Sequence, residues 1–149
     1  MHNRLQTRSR LAKIGVCQED SCLLCGCYPE TREHLFFQCT YSQTCLKDIM
    51  EWLQIKVINW EKEGTWRRLA RQAKGSVSRS FVWAVLAAAI YYIWMARIDA
   101  FWNMKVPHPR SILKKVMIDS KHRILEVLNR KRTCKDRRWI EDILSRINV

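Results

Sequence analysis

Apolar residues recur at three- and four-residue spacing over most of the chain, the signature of amphipathic helices. Leu5, Leu11 and Ile14 predict a short basic helix over residues 3–16 that stops at Gly15. Ser42 reads as the N-cap of a second helix carrying Cys45, Ile49, Trp52 and Leu53 on its apolar side. Asn59 to Gly64 reads as a connection, and Trp66, Leu69, Ala70 and Ala73 as a short helix ending near Gly75. The longest apolar run, Phe81 to Met95, lies between Arg79 and Arg97. It is shorter than the roughly 20 residues a membrane span needs, so a buried core helix is predicted. Its continuation puts Tyr91, Trp94, Ile98 and Phe101 on one stripe. Val106 to Pro109 breaks the helix, because two prolines cannot sit inside one. Ser111 then reads as a cap for a stripe of Leu113, Met117, Ser120, Ile124 and Val127/Leu128. A final helix carries Trp139/Ile140, Ile143/Leu144 and Ile147 on one face.

With only 4 glycines and 3 prolines among 149 residues, the tight turns of an all-β sandwich are improbable. Seven tryptophans and 48% hydrophobic residues are enough to build a core. The formal net charge is +13, an excess that repels itself on folding and is usually kept for a polyanion. Nucleic acid is the leading partner class. The seven cysteines are an odd number, and no apolar segment follows the basic start. An intracellular, reducing compartment, the nucleus included, is therefore expected, and there clustered cysteines more often mean metal.

The cysteines cluster in one place. Cys22-Leu-Leu-Cys25 and His34-Leu-Phe-Phe-Gln-Cys39 are separated by eight residues, giving C-x2-C-x8-H-x4-C. Three soft thiolates and one imidazole suit a single tetrahedral Zn2+. A filled four-ligand shell leaves no position for water, which predicts a structural ion and not a catalytic one. Gly26 gives the chain freedom to turn around the metal. Cys17 and Cys27 lie close by, and either can replace a ligand on spacing alone. Cys45 reads as packing, and Cys134 as an exposed thiol. The predicted architecture is mainly α: a basic N-terminal helix (1–16), a zinc-bound head (17–40), a helical core (41–105) and basic C-terminal helices (110–149).

Cys22 to Cys39, with its Glu-Thr-x-x-His-Leu-Phe-Phe-x-Cys portion, resembles the zinc-binding region that follows the polymerase in plant LINE-type (non-LTR) retrotransposon reverse transcriptases. Arg10 to Val16, Tyr41-Ser-Gln, Met50 to Leu53 and Leu86 to Trp94 with Arg97 extend the likeness over about residues 4 to 102. Ile98 stands where the family usually has Asn, and Cys27 adds a thiol. The resemblance implies zinc ligands at Cys22, Cys25, His34 and Cys39, and contact with template RNA or target DNA near a polymerase. On this likeness the chain is expected to be a detached piece of such an element.

No adjacent Asp-Asp pair and no Gly-rich phosphate loop is present, so no catalytic residues and no small-molecule substrate are expected. A nucleic-acid-binding module would use Tyr28 and Phe36, with Leu23, against unstacked bases. Arg4, Arg8, Arg10 and Lys13, with Arg130, Lys131, Arg132, Lys135, Arg137 and Arg138, would reach phosphates. Asn129 to Arg138 also fits a nuclear-import signal. Two alternatives compete. One is a helical scaffold docking a reverse transcriptase or a second copy through the face of Trp139, Ile143, Leu144 and Ile147, although packing onto the chain's own core is favoured for that face. The other is a translated retroelement remnant without a selected function. No membrane partner is expected.

Overall fold

The computed structural model describes residues 5–56, 71–72, 75–130 and 137–147, with the backbone alone at Val127 and Arg130. The connection expected at Asn59 to Gly64 and most of the short helix through Trp66 lie outside these residues. The described part is mainly helical: α1 (Arg8–Lys13), α2 (Thr40–Trp52), α3 (Ser76–Asn103), α4 (Pro109–Arg130) and α5 (Arg137–Ser145), with a π turn over His34–Gln38. The β pairing among them is an isolated bridge between Ser21 and Pro29.

α1 is shorter than its predicted span. Its start is set by the Thr7 carbonyl, which accepts from the Arg10 and Leu11 N–H groups. Gly15 stops it as expected, at φ 74°, with Gly15 and Val16 N–H closing on the Ala12 and Leu11 carbonyls. Ile14 belongs to no apolar side, because it lies beyond the last helical residue and is exposed. Ser42 is not the cap of α2. Cys39 holds that position, and the buried Ser42 hydroxyl donates to the Leu35 carbonyl at 2.5 Å. The apolar side of α2 follows the prediction, with Cys45, Ile49, Trp52 and Leu53 all buried.

α3 runs 28 residues and corrects the expected orientation. Its buried stripe is Val82, Val85, Leu86, Ala89, Ile93, Ala96 and Ala100, while Tyr91 and Phe101 of the predicted stripe are exposed. The segment is apolar nearly all round, so periodicity does not fix its phase. Ala89, Ala96 and Ala100 let neighbouring helices approach closely, which a tryptophan on that side would prevent. By length and composition α3 is long enough to cross a membrane, contrary to the shorter run read from sequence. Its inner side is instead built into the protein core together with α2 and α4.

Pro109 opens α4 at the position where its missing N–H costs nothing. His108 does the capping expected of Ser111: its carbonyl accepts from Ser111 N–H at 2.8 Å and its ring Nδ1 from Arg110 N–H at 3.2 Å. The inward positions are Ile112, Val116, Ser120, Ile124 and Leu128, at strict four-residue spacing. The first half of the predicted stripe is thus displaced by one residue, and Leu113 and Met117 sit at the rim. α5 docks as its apolar face requires. Ile140, Ile143 and Ile147 are buried, Trp139 meets Phe81 edge-on, Phe81 meets Trp52 likewise, and Trp52 Nε1 donates to the Ile143 carbonyl at 3.2 Å. One apolar core therefore runs from Cys22 to Ile147.

Candidate metal centre

The head is built by local hydrogen bonds that bring two distant ligand pairs together. Cys22 N–H donates to the Tyr28 carbonyl and Glu30 N–H to the Asp20 carbonyl, so the loop between them closes on itself. Gly26, at φ 72°, takes the left-handed turn that lets its N–H reach the Cys22 carbonyl at 2.7 Å. Both thiols of Cys22 and Cys25 then sit on one side of that turn.

The second pair depends on the π turn. In an α-helix, residues five apart stand about 140° apart around the axis. Here Cys39 N–H donates to the His34 carbonyl at 2.7 Å, an i→i+5 closure that brings His34 and Cys39 to the same side. Thr31 starts the turn, its Oγ1 accepting from His34 N–H at 3.0 Å. This explains why threonine stands three residues before the histidine.

The four ligand atoms of Cys22, Cys25, His34 and Cys39 lie within 4.8 Å of one another. Cys22 and Cys39 sulfurs are 3.9 Å apart, and Cys25 Sγ is 3.2 Å from His34 Nε2. Two sulfurs at zinc bond length and the tetrahedral angle are about 3.8 Å apart, and a sulfur–nitrogen pair about 3.6 Å. The donor set and its spacing fit zinc, which these four residues hold as a structural ion. Without a cation such a cluster works against itself. The hydrogen bond between them pushes the Cys22 thiol up and holds the Cys39 thiol down, while burial pushes Cys25 up. A divalent ion removes that conflict by accepting all three as thiolates.

Among the described residues the other thiols take no part. Cys27 is exposed and its Sγ donates to the Cys25 carbonyl, while Cys17 Sγ turns to the Glu19 carbonyl. Cys45 is fully buried, and burial pushes its thiol up to about 12, which suits packing. Cys134 lies outside the described residues.

Sequence reasoning missed the residue that joins the head to the body. Glu30 is fully buried, and its Oε1 accepts from Arg97 Nε and from Arg8 N–H, each at 2.9 Å. Its Oε2 accepts from Leu23 N–H, inside the first ligand turn, at 3.1 Å. Arg97 is 3% exposed, with its Cζ 5.3 Å from the Trp94 ring centre and 5.4 Å from that of Phe101. One carboxylate thus binds the ligand loop, the start of α1 and the last third of α3. The signal was present: Arg97 is the first charge after Arg79 in a helix otherwise uncharged between them. A lone charge of that kind is a candidate for a buried pair.

The residues expected to meet nucleic acid separate into groups. Tyr28 is exposed, its ring 5.6 Å from that of His34. Phe36 is a correction: it is 4% exposed and packs under the ligand loop, because the π turn points it into the core. Leu23 is half-buried against the same core. Arg8 turns inward, to the Ser21 carbonyl at 3.2 Å and to Glu19 at 3.3 Å. Arg10 is half-buried and Lys13 exposed, both on α1. Arg137 bonds the Leu128 carbonyl and pairs with Glu141, and Arg138 is exposed beside it on α5. Arg130 ends α4. Arg4, Lys131, Arg132 and Lys135 lie outside the described residues.

No curated protein and no solved structure gives a significant match to the chain. The head is recognised on its own: residues 1–45, which contain all four ligands, match the family described as zinc-binding in reverse transcriptase.

Proposed function

We propose that this chain is a non-catalytic, zinc-dependent module that binds RNA or DNA. The observation that carries the reading is the coincidence of a complete zinc site with the segment matching zinc-binding in reverse transcriptase, an enzyme whose work is on nucleic acid. A net charge of +13 supports the same partner class. Four protein ligands leave no open coordination position, which supports a non-catalytic ion. The scaffold alternative relied on the apolar face of α5, and that face is covered by the chain's own core.

The test is fluorescence anisotropy with a labelled single-stranded RNA, with and without zinc, across a salt series. Tight zinc-dependent binding that weakens linearly in log salt is expected, with a slope of about 0.7 per phosphate contacted. Binding that survives zinc removal unchanged would reduce the chain to a nonspecific polycation. Absence of binding at low salt would refute the nucleic-acid reading.

A further inference from the structure

Where α3 ends, the protein exposes aromatic surface instead of burying it. Trp102 is 73% exposed and Phe101 41%, with ring centres 4.9 Å apart and planes at 88°. Met104, at φ 52°, and Val106 continue the patch outward. Scattered exposed apolar residues are ordinary, but a contiguous aromatic patch marks a contact surface. Its inner edge is anchored. Phe101 lies over the Arg97 guanidinium, and Arg97 is fixed to the buried Glu30.

The same Glu30 oxygen accepts from the first N–H of α1, so α1 and the aromatic end of α3 meet at one atom. Arg10 and Lys13 lie on α1, whose first N–H is fixed to that carboxylate, and Lys105 lies three residues beyond Trp102. Among the described residues these three cations have no ion-pair partner, whereas two of the acids nearby do. Glu19 pairs with Arg8 and Glu30 with Arg97, while Asp99, which accepts from the neutral Asn103 amide at 3.4 Å, keeps its charge and lines one cavity with Lys105. Rings beside an excess of unpaired cations are complementary to unstacked bases on a phosphate strand. An apolar protein partner would find no use for the charge.

We propose that this corner is a stacking platform for single-stranded nucleic acid, with Trp102 and Phe101 against bases and Arg10, Lys13 and Lys105 at neighbouring phosphates. The inference rests on the nucleic-acid reading above and adds the strandedness and the residues. Sequence reasoning had placed base contacts on Tyr28 and Phe36 of the head.

The test uses the full zinc-loaded chain and a labelled oligouridine of about 12 nucleotides, with a duplex of equal length as the second probe. Trp102→Ala is expected to weaken single-strand binding by roughly fivefold to a hundredfold, the range for losing one base–ring stack. The duplex, whose bases are already stacked, should be affected little. Trp102→Phe should retain most of the affinity. The salt slope should not change in either ring variant, whereas Lys13→Ala should lower it by about 0.7. Unchanged zinc content and circular dichroism in each variant show that the fold is intact. If the wild type binds and Trp102→Ala binds equally well, the platform is wrong and the wider reading stands. If Trp102→Ala instead dissolves a dimer seen by light scattering with RNA affinity unchanged, the patch belongs to a second copy and the proposal falls. If the wild type binds neither probe at low salt, the nucleic-acid reading itself fails.

Discussion

The zinc head and the α3–α4 body are held together in different ways. In the head, order depends on a few strong local contacts: four ligand atoms within 4.8 Å of one another and one buried carboxylate. In the body it depends on many weak ones, with Val85, Ile93, Val116 and Ile124 among residues sharing a continuous apolar core. The head should therefore fail abruptly when one ligand is lost, and the body should weaken by degrees. Glu30 and Arg97 are the point at which failure of one is felt by the other.

The largest expected effect breaks the head alone. Chelation of zinc, Cys25→Ser or His34→Ala removes a share of an apparent binding free energy on the order of 10 kcal/mol. Residues 17–40 are expected to lose their dispersed amide signals in an NMR spectrum, while those of α3 and α4 persist. Sharp, unshifted signals across the head after chelation would mean that the loop folds without metal.

Next in size is the joint. Arg97→Met leaves the Glu30 carboxylate buried without its cation, a loss of about 3–5 kcal/mol. Combining it with Glu30→Gln should recover part of that loss, because the uncompensated charge is gone. Chemical denaturation of the two single variants and the double variant measures the coupling. Additive losses would show that the pair does not link the two regions.

The body should respond more gently. Ile93 is fully buried, and Ile93→Ala is expected to cost about 2–5 kcal/mol while leaving zinc stoichiometry unchanged. Zinc loss in this variant, measured by metal analysis after dialysis, would erase the distinction between the regions.

The smallest effect is a gain. Met104 ends α3 in the left-handed region and is 87% exposed, so its side chain contributes little packing. Met104→Gly relieves about 1–2 kcal/mol of backbone strain against the greater entropy lost by glycine, leaving a net gain of about 0.5–1 kcal/mol in thermal or denaturant unfolding.

Much of this was readable from residues alone. The ligand set was legible because all four lie within 18 consecutive residues and zinc imposes a fixed donor chemistry. The faces of α2 and α5 were legible because polar residues interrupt their apolar ones and so mark the phase. α3 offered no such marks, and its buried side was read the wrong way round. In α4 the apolar pairs Ile112/Leu113 and Val116/Met117 left two registers open, and the tertiary packing buried Ile112 and Val116.

By itself, then, the sequence determined the helical class, the metal and its ligands, and the excess positive charge. All three depend on residue type and on short spacings. The tertiary structure decided which thiols stand aside, that Phe36 is core, that Trp102 is surface, and that Glu30 meets Arg97 across 67 residues of chain. Those outcomes depend on the relative placement of distant segments. Local patterns leave that placement open because alternatives with the same local spacing differ only in how well their side chains fit.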